Sequence, residues 1–229
     1  KVGQLAFYIQ DDWNVTDNFK LTYGIRADRP LYFNTRGLVQ ENIDRKGGLL
    51  SEGGTYAPDI QYFDENGDAV FLNSLDLPSN DILWSPRLGF NWDVRSDQSF
   101  QVRGVTGVFS GRFPFVWVGN QVQSTDFFFY QTTNPNFQFP QVWRSNLGVD
   151  YRFENGIIAS TDIIYTEDLN AATVNNFGAG TPSGTLAGVD NSPIYLAEDR
   201  ATIIGGPTNA DVFSNVDVGD SFYWTLKLQ

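Results

Sequence analysis

The stretch Leu5 to Asp28 constrains this chain most, because it alternates residue by residue on both sides of a short polar turn. In its first arm Leu5, Phe7, Ile9 and Trp13 fall on one face, and Gln4, Ala6, Tyr8, Gln10 and Asp12 on the other. After Asn14 to Asn18 the second arm repeats the pattern. Phe19, Leu21, Tyr23, Ile25 and Ala27 oppose Lys20, Thr22, Gly24, Arg26 and Asp28. Each arm has about ten residues, the length a tilted strand needs to cross a bilayer. Trp13 and Phe19 flank the turn on the apolar side, where an interfacial aromatic girdle would sit. One such hairpin also suits a soluble antiparallel sheet, so recurrence decides.

The arrangement recurs. Pro86, Leu88, Phe90 and Trp92 oppose Arg87, Gly89, Asn91 and Asp93. A short turn follows at Val94 to Ser99, and then Phe100, Val102, Gly104, Thr106 and Val108, a face weakened by Gly104 and Thr106. Trp143, Leu147, Val149, Tyr151 and Phe153 lead to the turn signal Asn155-Gly156 and return through Ile157, Ala159, Ile163 and Tyr165. A last strand alternates Phe222, Trp224, Leu226 and Leu228 with Tyr223, Thr225, Lys227 and Gln229. Between these hairpins lie long connections at about 30–81, 112–141 and 167–220. In the first, Tyr56, Tyr62, Phe63, Val70 and Phe71 are expected to form local strands, two of them joined by the turn Asp64 to Asp68. Short turns at one end and long loops at the other describe an all-β, antiparallel transmembrane β-barrel. A soluble β-sandwich has no reason to keep one end short and ringed with aromatics.

Composition narrows the chemistry. With no Cys, His or Met, thiolate and imidazole chemistry is excluded within the chain, and no metal site or cofactor is expected. The protein is read as a non-enzyme. The net charge of −12 argues against nucleic acid as a partner. Asp64, Asn66 and Asp68 mimic alternating calcium ligands, but Gly67 is misplaced for an EF-hand and the later Glu is missing, so a plain turn is favoured. Neither Asp11 with Asp12 nor Asp162 with Glu167 has a partnered cleft that would support glycosidase chemistry. A chain starting at Lys1 without any Met reads as an internal piece of something longer.

Phe7-Tyr8-Ile9-Gln10-Asp11-Asp12-Trp13 and Leu21-Thr22-Tyr23-Gly24-Ile25-Arg26 resemble the strand-turn-strand repeat of TonB-dependent outer-membrane transporters. So does Ser85-Pro86-Arg87-Leu88-Gly89-Phe90. The run from Arg103 to Trp117, and Trp143 to Tyr151 with Ile164 to Asn170, are similar to the Oar-like members of Bacteroidetes-type bacteria. The resemblance covers about half the chain. It implies a bacterial outer-membrane location and a barrel of about 22 strands with a plugged lumen, of which about seven lie here. Residues 1–229 would then be one partial barrel domain without a plug. The implied function is import of a specific ligand, an oligosaccharide, peptide or metal chelate. Implied partners are outer-membrane lipid and lipopolysaccharide, the rest of the barrel and plug, TonB through the absent plug segment, and a surface lipoprotein or other outer-membrane proteins.

Two residue sets are candidates for that function. Phe113, Phe115, Trp117, Phe127 and Tyr130, in the aromatic second connection, would contact ligand, the alternative being that their rings pack the long loops together. Arg87, Arg103, Arg144 and Arg152, on the polar faces, would point into the lumen. Two other functions stay open. One is a structural or assembly subunit of an outer-membrane complex. The other is a soluble β-rich carbohydrate-binding module, which requires the Leu5/Phe7/Ile9 and Leu21/Tyr23/Ile25 faces to be buried against a second sheet.

Overall fold

Alternation becomes register in the computed structural model, which describes residues 1–45, 61–64, 66–73, 75–112, 115–123, 131–203, 206–207 and 210–229. Seven long strands form one sheet: β1 (Gly3–Thr16), β2 (Phe19–Leu31), β5 (Leu83–Asp93), β6 (Phe100–Ser110), β8 (Gln141–Arg152), β9 (Ile158–Asp168) and β16 (Asp220–Leu228). Their order is β1-β2-β5-β6-β8-β9-β16, each antiparallel to its neighbour. Lengths of 9 to 14 residues reach or exceed what a tilted transmembrane strand requires.

Pairing keeps every predicted face intact across all seven strands. One row runs Trp13, Leu21, Phe90, Gly104, Leu147, Ile163, Trp224. A row on the other face, three residues nearer the long connections, runs Gln10, Gly24, Arg87, Gly107, Arg144, Thr166, Ser221. Because side chains alternate with period two, a slip of one residue anywhere would mix these rows.

The apolar face is bare. Leu5, Phe7, Ile9, Trp84, Leu88, Leu147, Phe222, Trp224 and Leu226 are all exposed, Phe7 by 70%. Among the described residues no second sheet covers it. A continuous patch of this kind is far beyond what a water-soluble surface carries. The burial required by the soluble module is therefore not found.

The long connections fold into a separate layer at the end away from the short turns. It contains α1 (Thr35–Arg45), the hairpin β3 (Gln61–Phe63) and β4 (Ala69–Phe71), α2 (Val116–Gln123) and β7 (Gln131–Thr133). Further along are β10 (Ala171–Asn176), β11 (Gly184–Thr185), β12 (Pro193–Ile194), a 3-10 turn at Ala197–Asp199, β13 (Thr202–Ile203), β14 (Gly206–Pro207) and β15 (Asp211–Val216). The expected β3–β4 pair is present around the Asp64 turn, whereas Tyr56 lies outside the described residues. The two helices were not expected from the sequence. α1 buries Thr35, Val39 and Ile43, one residue per turn, and Asn42 Nδ2 donates to the carbonyl of Val122 in α2 at 2.6 Å.

Two apolar cores hold the layer. One joins Tyr32, Leu83, Val118, Phe137, Phe139 and Phe213; the other joins Tyr62, Leu72, Phe177, Ala201, Ala210 and Val212. A mixed sheet in the order β10-β15-β7 connects them, its β7 running parallel to β15. Asn215 in β15 accepts from the Gln138 amide at 2.7 Å and donates to the carbonyls of Gln138 and Asn170. Residues from different connections are thus tied by backbone-satisfying bonds rather than by contact alone.

Candidate functional site: an outward apolar band, a polar face and a folded loop layer

The outward band has two aromatic edges. Near the short turns, Phe19 packs on Phe90 and Trp92 at 6.1 and 6.5 Å, and Phe100 packs on Tyr151 at 5.9 Å. Arg95, from the turn after β5, lies 5.2 Å from the Tyr151 ring and donates to its hydroxyl at 3.2 Å. At the opposite edge stand Trp84, Trp143 and Phe222, all exposed. This second girdle was missed in the sequence, although the spacing signals it: Trp84 precedes Trp92, and Trp143 precedes Tyr151, by eight residues each. Eight residues rise about 26 Å along a strand, or about 20 Å across a bilayer at a 40° tilt, comparable with the ~25 Å apolar band of such barrels.

Gaps in the band are filled by neighbours. Gly104, which interrupts β6, lies beneath the Phe90 ring; a Cβ there would sit 2.5 Å from Phe90 Cε1. Asp11 is also outward, paired with Tyr23, whose hydroxyl donates to Asp11 Oδ2 at 2.9 Å. The pair lies one alternation inside Trp13, close to the interface, where a carboxylate costs little.

The polar face is organised around arginines. Arg26 clamps Asp28 with two bonds of 2.7 and 2.8 Å, and Gln4 adds a third at 2.8 Å, satisfying a carboxylate that is almost fully buried. Arg103 crosses over Gly148 to reach Asp162 at 2.9 Å and also pairs with Asp150, joining β6, β8 and β9. Arg87 covers the Phe109 ring at 4.6 Å, and Arg144 Nε donates to Thr166 Oγ1 at 2.9 Å. Neither Arg87 nor Arg144 has a carboxylate partner among the described residues. The register places both, with Arg103 and Arg152, on the one face opposite the apolar band.

Of the aromatic candidates, Phe115 and Trp117 are half-buried and pack against the first core. Phe115 faces Phe139 at 6.0 Å, and Trp117 meets Phe213 edge-on at 4.0 Å. Phe113, Phe127 and Tyr130 lie outside the described residues. The Asp64 turn uses its carboxylate internally: Oδ1 accepts from the amides of Asn66 and Asp68, both at 2.9 Å.

A two-faced antiparallel sheet with a double aromatic edge and a folded layer at one end defines a membrane-spanning β wall. The family profile of the outer membrane beta barrel domain matches residues 1–183, and the chain belongs to that family, located in the bacterial outer membrane. No curated protein matches the chain. Among solved structures it is similar to the siderophore receptor PirA from Pseudomonas aeruginosa, at 14% identity and a TM-score of 0.50. That likeness covers 99% of this chain and 30% of PirA, so the chain spans less than a third of the receptor. The ferric enterobactin receptor PfeA of the same organism aligns at 11% identity and a TM-score of 0.49, over 98% of this chain and 24% of that one. At such identities the likeness shows the fold alone.

Proposed function

We propose that the chain supplies wall strands and outer loops to a TonB-dependent receptor-transporter of the Oar-like, Bacteroidetes type. The loop layer captures a ligand, and an energised plug carried elsewhere in the full protein opens the path along the polar face. The observation that carries this reading is the loop layer itself. Connections of roughly thirty to fifty residues are costly to order unless the ordered surface is used, and the described residues of these pack into two cores of their own. The family membership and the receptor-like fold support the same reading.

Candidate ligand contacts include Phe113, Phe115, Trp117, Phe127 and Tyr130. Arg87, Arg103, Arg144 and Arg152 face the lumen in this account, with Arg87 and Arg144 left for carboxylates of the plug or of the passing ligand. The function is binding and passage, with no covalent step and no resident cofactor or metal. The partners are lipid and lipopolysaccharide, the remaining strands and plug, TonB, and neighbouring outer-membrane proteins or a surface lipoprotein.

Uptake by cells expressing the full-length parent tests it, using labelled oligosaccharides, peptides and ferric chelates with and without an uncoupler. Accumulation of one class that the uncoupler abolishes is expected. Accumulation of none, or accumulation indifferent to the uncoupler, would contradict it.

A further inference from the structure

The loop layer contains a cleft of about 460 Å3 between the β3–β4 turn, the end of β10 and the segment running from Ala179 to Tyr195. Its walls include Asp64, Asn66, Asn175, Thr181 and Tyr195. The side chains of Asn66, Asn175, Thr181 and Tyr195 form no hydrogen bond among the described residues, whereas those of the neighbouring Asp64, Asn176 and Ser183 do. Two amides and two hydroxyls therefore meet at one cleft with their donors and acceptors uncommitted. Among the described residues Asp64 is the one carboxylate on the lining, its Oδ1 accepting from two backbone amides, and none of the described lining side chains is cationic.

The frame around it is fixed. Gly67 at φ +82 brings the hairpin tip so close to Thr181 that a Cβ would lie 2.8 Å from Thr181 Oγ1. Behind it, the Phe63 amide donates to the Phe177 carbonyl at 2.8 Å, and the Gly180 amide donates to the Asp199 carbonyl at 2.7 Å. The backbone carrying these groups is tied down, and their side chains are not used by the fold.

Charge selects among ligand classes. The connections 32–82, 111–140 and 169–219 carry fifteen acidic and five basic residues, so −10 of the chain's −12 lies there. Such a field disfavours anionic chelates and leaves neutral ligands unaffected. Convergent amides and hydroxyls beside an exposed phenol ring suit a neutral polyhydroxylated ligand, whose hydroxyls exchange donors and acceptors while a sugar face stacks on the ring. We infer that this cleft binds a neutral saccharide. The inference rests on the capture role proposed for the loops and names the class of ligand they take.

Binding of the detergent-solubilised full-length parent to an array of neutral and sulfated oligosaccharides, with neutral peptides and ferric chelates alongside, tests this. Neutral glycans are expected to bind, and Asn175→Ala, Tyr195→Ala and Thr181→Phe each to weaken binding at least tenfold. Unchanged protease resistance of each variant verifies that the layer is intact. A variant that loses this resistance is replaced by Asn66→Ala, whose side chain makes no bond to the fold. Retention of glycan binding in all intact variants would overturn the inference, as would binding of only anionic glycans, chelates or peptides, or of nothing. Uncoupler-insensitive uptake with intact glycan binding would remove the transport reading and leave the cleft standing.

Discussion

Single residues set the limits of this wall. Gly104 accommodates the Phe90 ring, which in turn packs on Phe19. Gly104→Val should push that ring off its seat and destabilise the wall by about 1–3 kcal/mol, as overpacking does. A lowered temperature of heat-modified migration in a gel would record it, and an unchanged temperature would show that the ring moves freely. On the other face, Gly148→Ala should displace Arg103 from Asp162 and weaken the link between β6 and β9. In the loop layer, the Ser183 hydroxyl and the Leu196 amide donate to Asp199 and hold its carboxyl below the usual carboxylate range. A depressed carboxylate contributes its stability above the unfolded value and loses it as pH falls through the folded one. The protection of the Ser183 and Leu196 amides, taken relative to intrinsic exchange at each pH, should therefore stay level across the neutral range and fall as Asp199 becomes protonated in acid. Asp199→Asn should abolish the step.

At the scale of elements, the strands were legible and the helices were not. Trp13, Leu21, Phe90 and Leu147 announce their face because a pleated strand repeats every two residues, and pairing only confirms the rows. α1 has few apolar residues; its whole signal is Thr35, Val39 and Ile43 at four-residue steps, easily lost in a polar connection. α2 has eight residues, too few to show a period. The role of the second connection was partly readable, since its aromatic content demanded a core. That Phe213, from the third connection, would seat Trp117 and Phe137 depends on long-range pairing of β15 with β7 and β10. The cleft groups were invisible for the same reason, because Asn66, Asn175 and Tyr195 come from separate elements. Phe213→Ala should cost about 3–5 kcal/mol in the layer alone. Limited proteolysis should then cut the connections while the seven strands stay protected, and simultaneous loss of both would show that layer and wall are one cooperative unit.

For the whole molecule, the distribution of polarity follows the two solvents it meets. Apolar side chains face outward between two aromatic edges, arginine–carboxylate networks occupy the inner face, and most of the net charge lies in the connections. β1 and β16 each pair on one side only among the described residues. In lipid such edges require partner strands. The orientation of the sheet in the membrane distinguishes a lipid-facing wall from a buried core. Nitroxide labels placed one at a time at Phe7, Leu21, Leu88 and Leu147 of the membrane-embedded parent, and at Gln10, Arg26 and Asn91, test it directly. The first four should be quenched by a lipid-soluble relaxant and the other three should not. Shielding of all four apolar positions from both lipid and water would place them in a protein core, and the membrane wall would have to be abandoned.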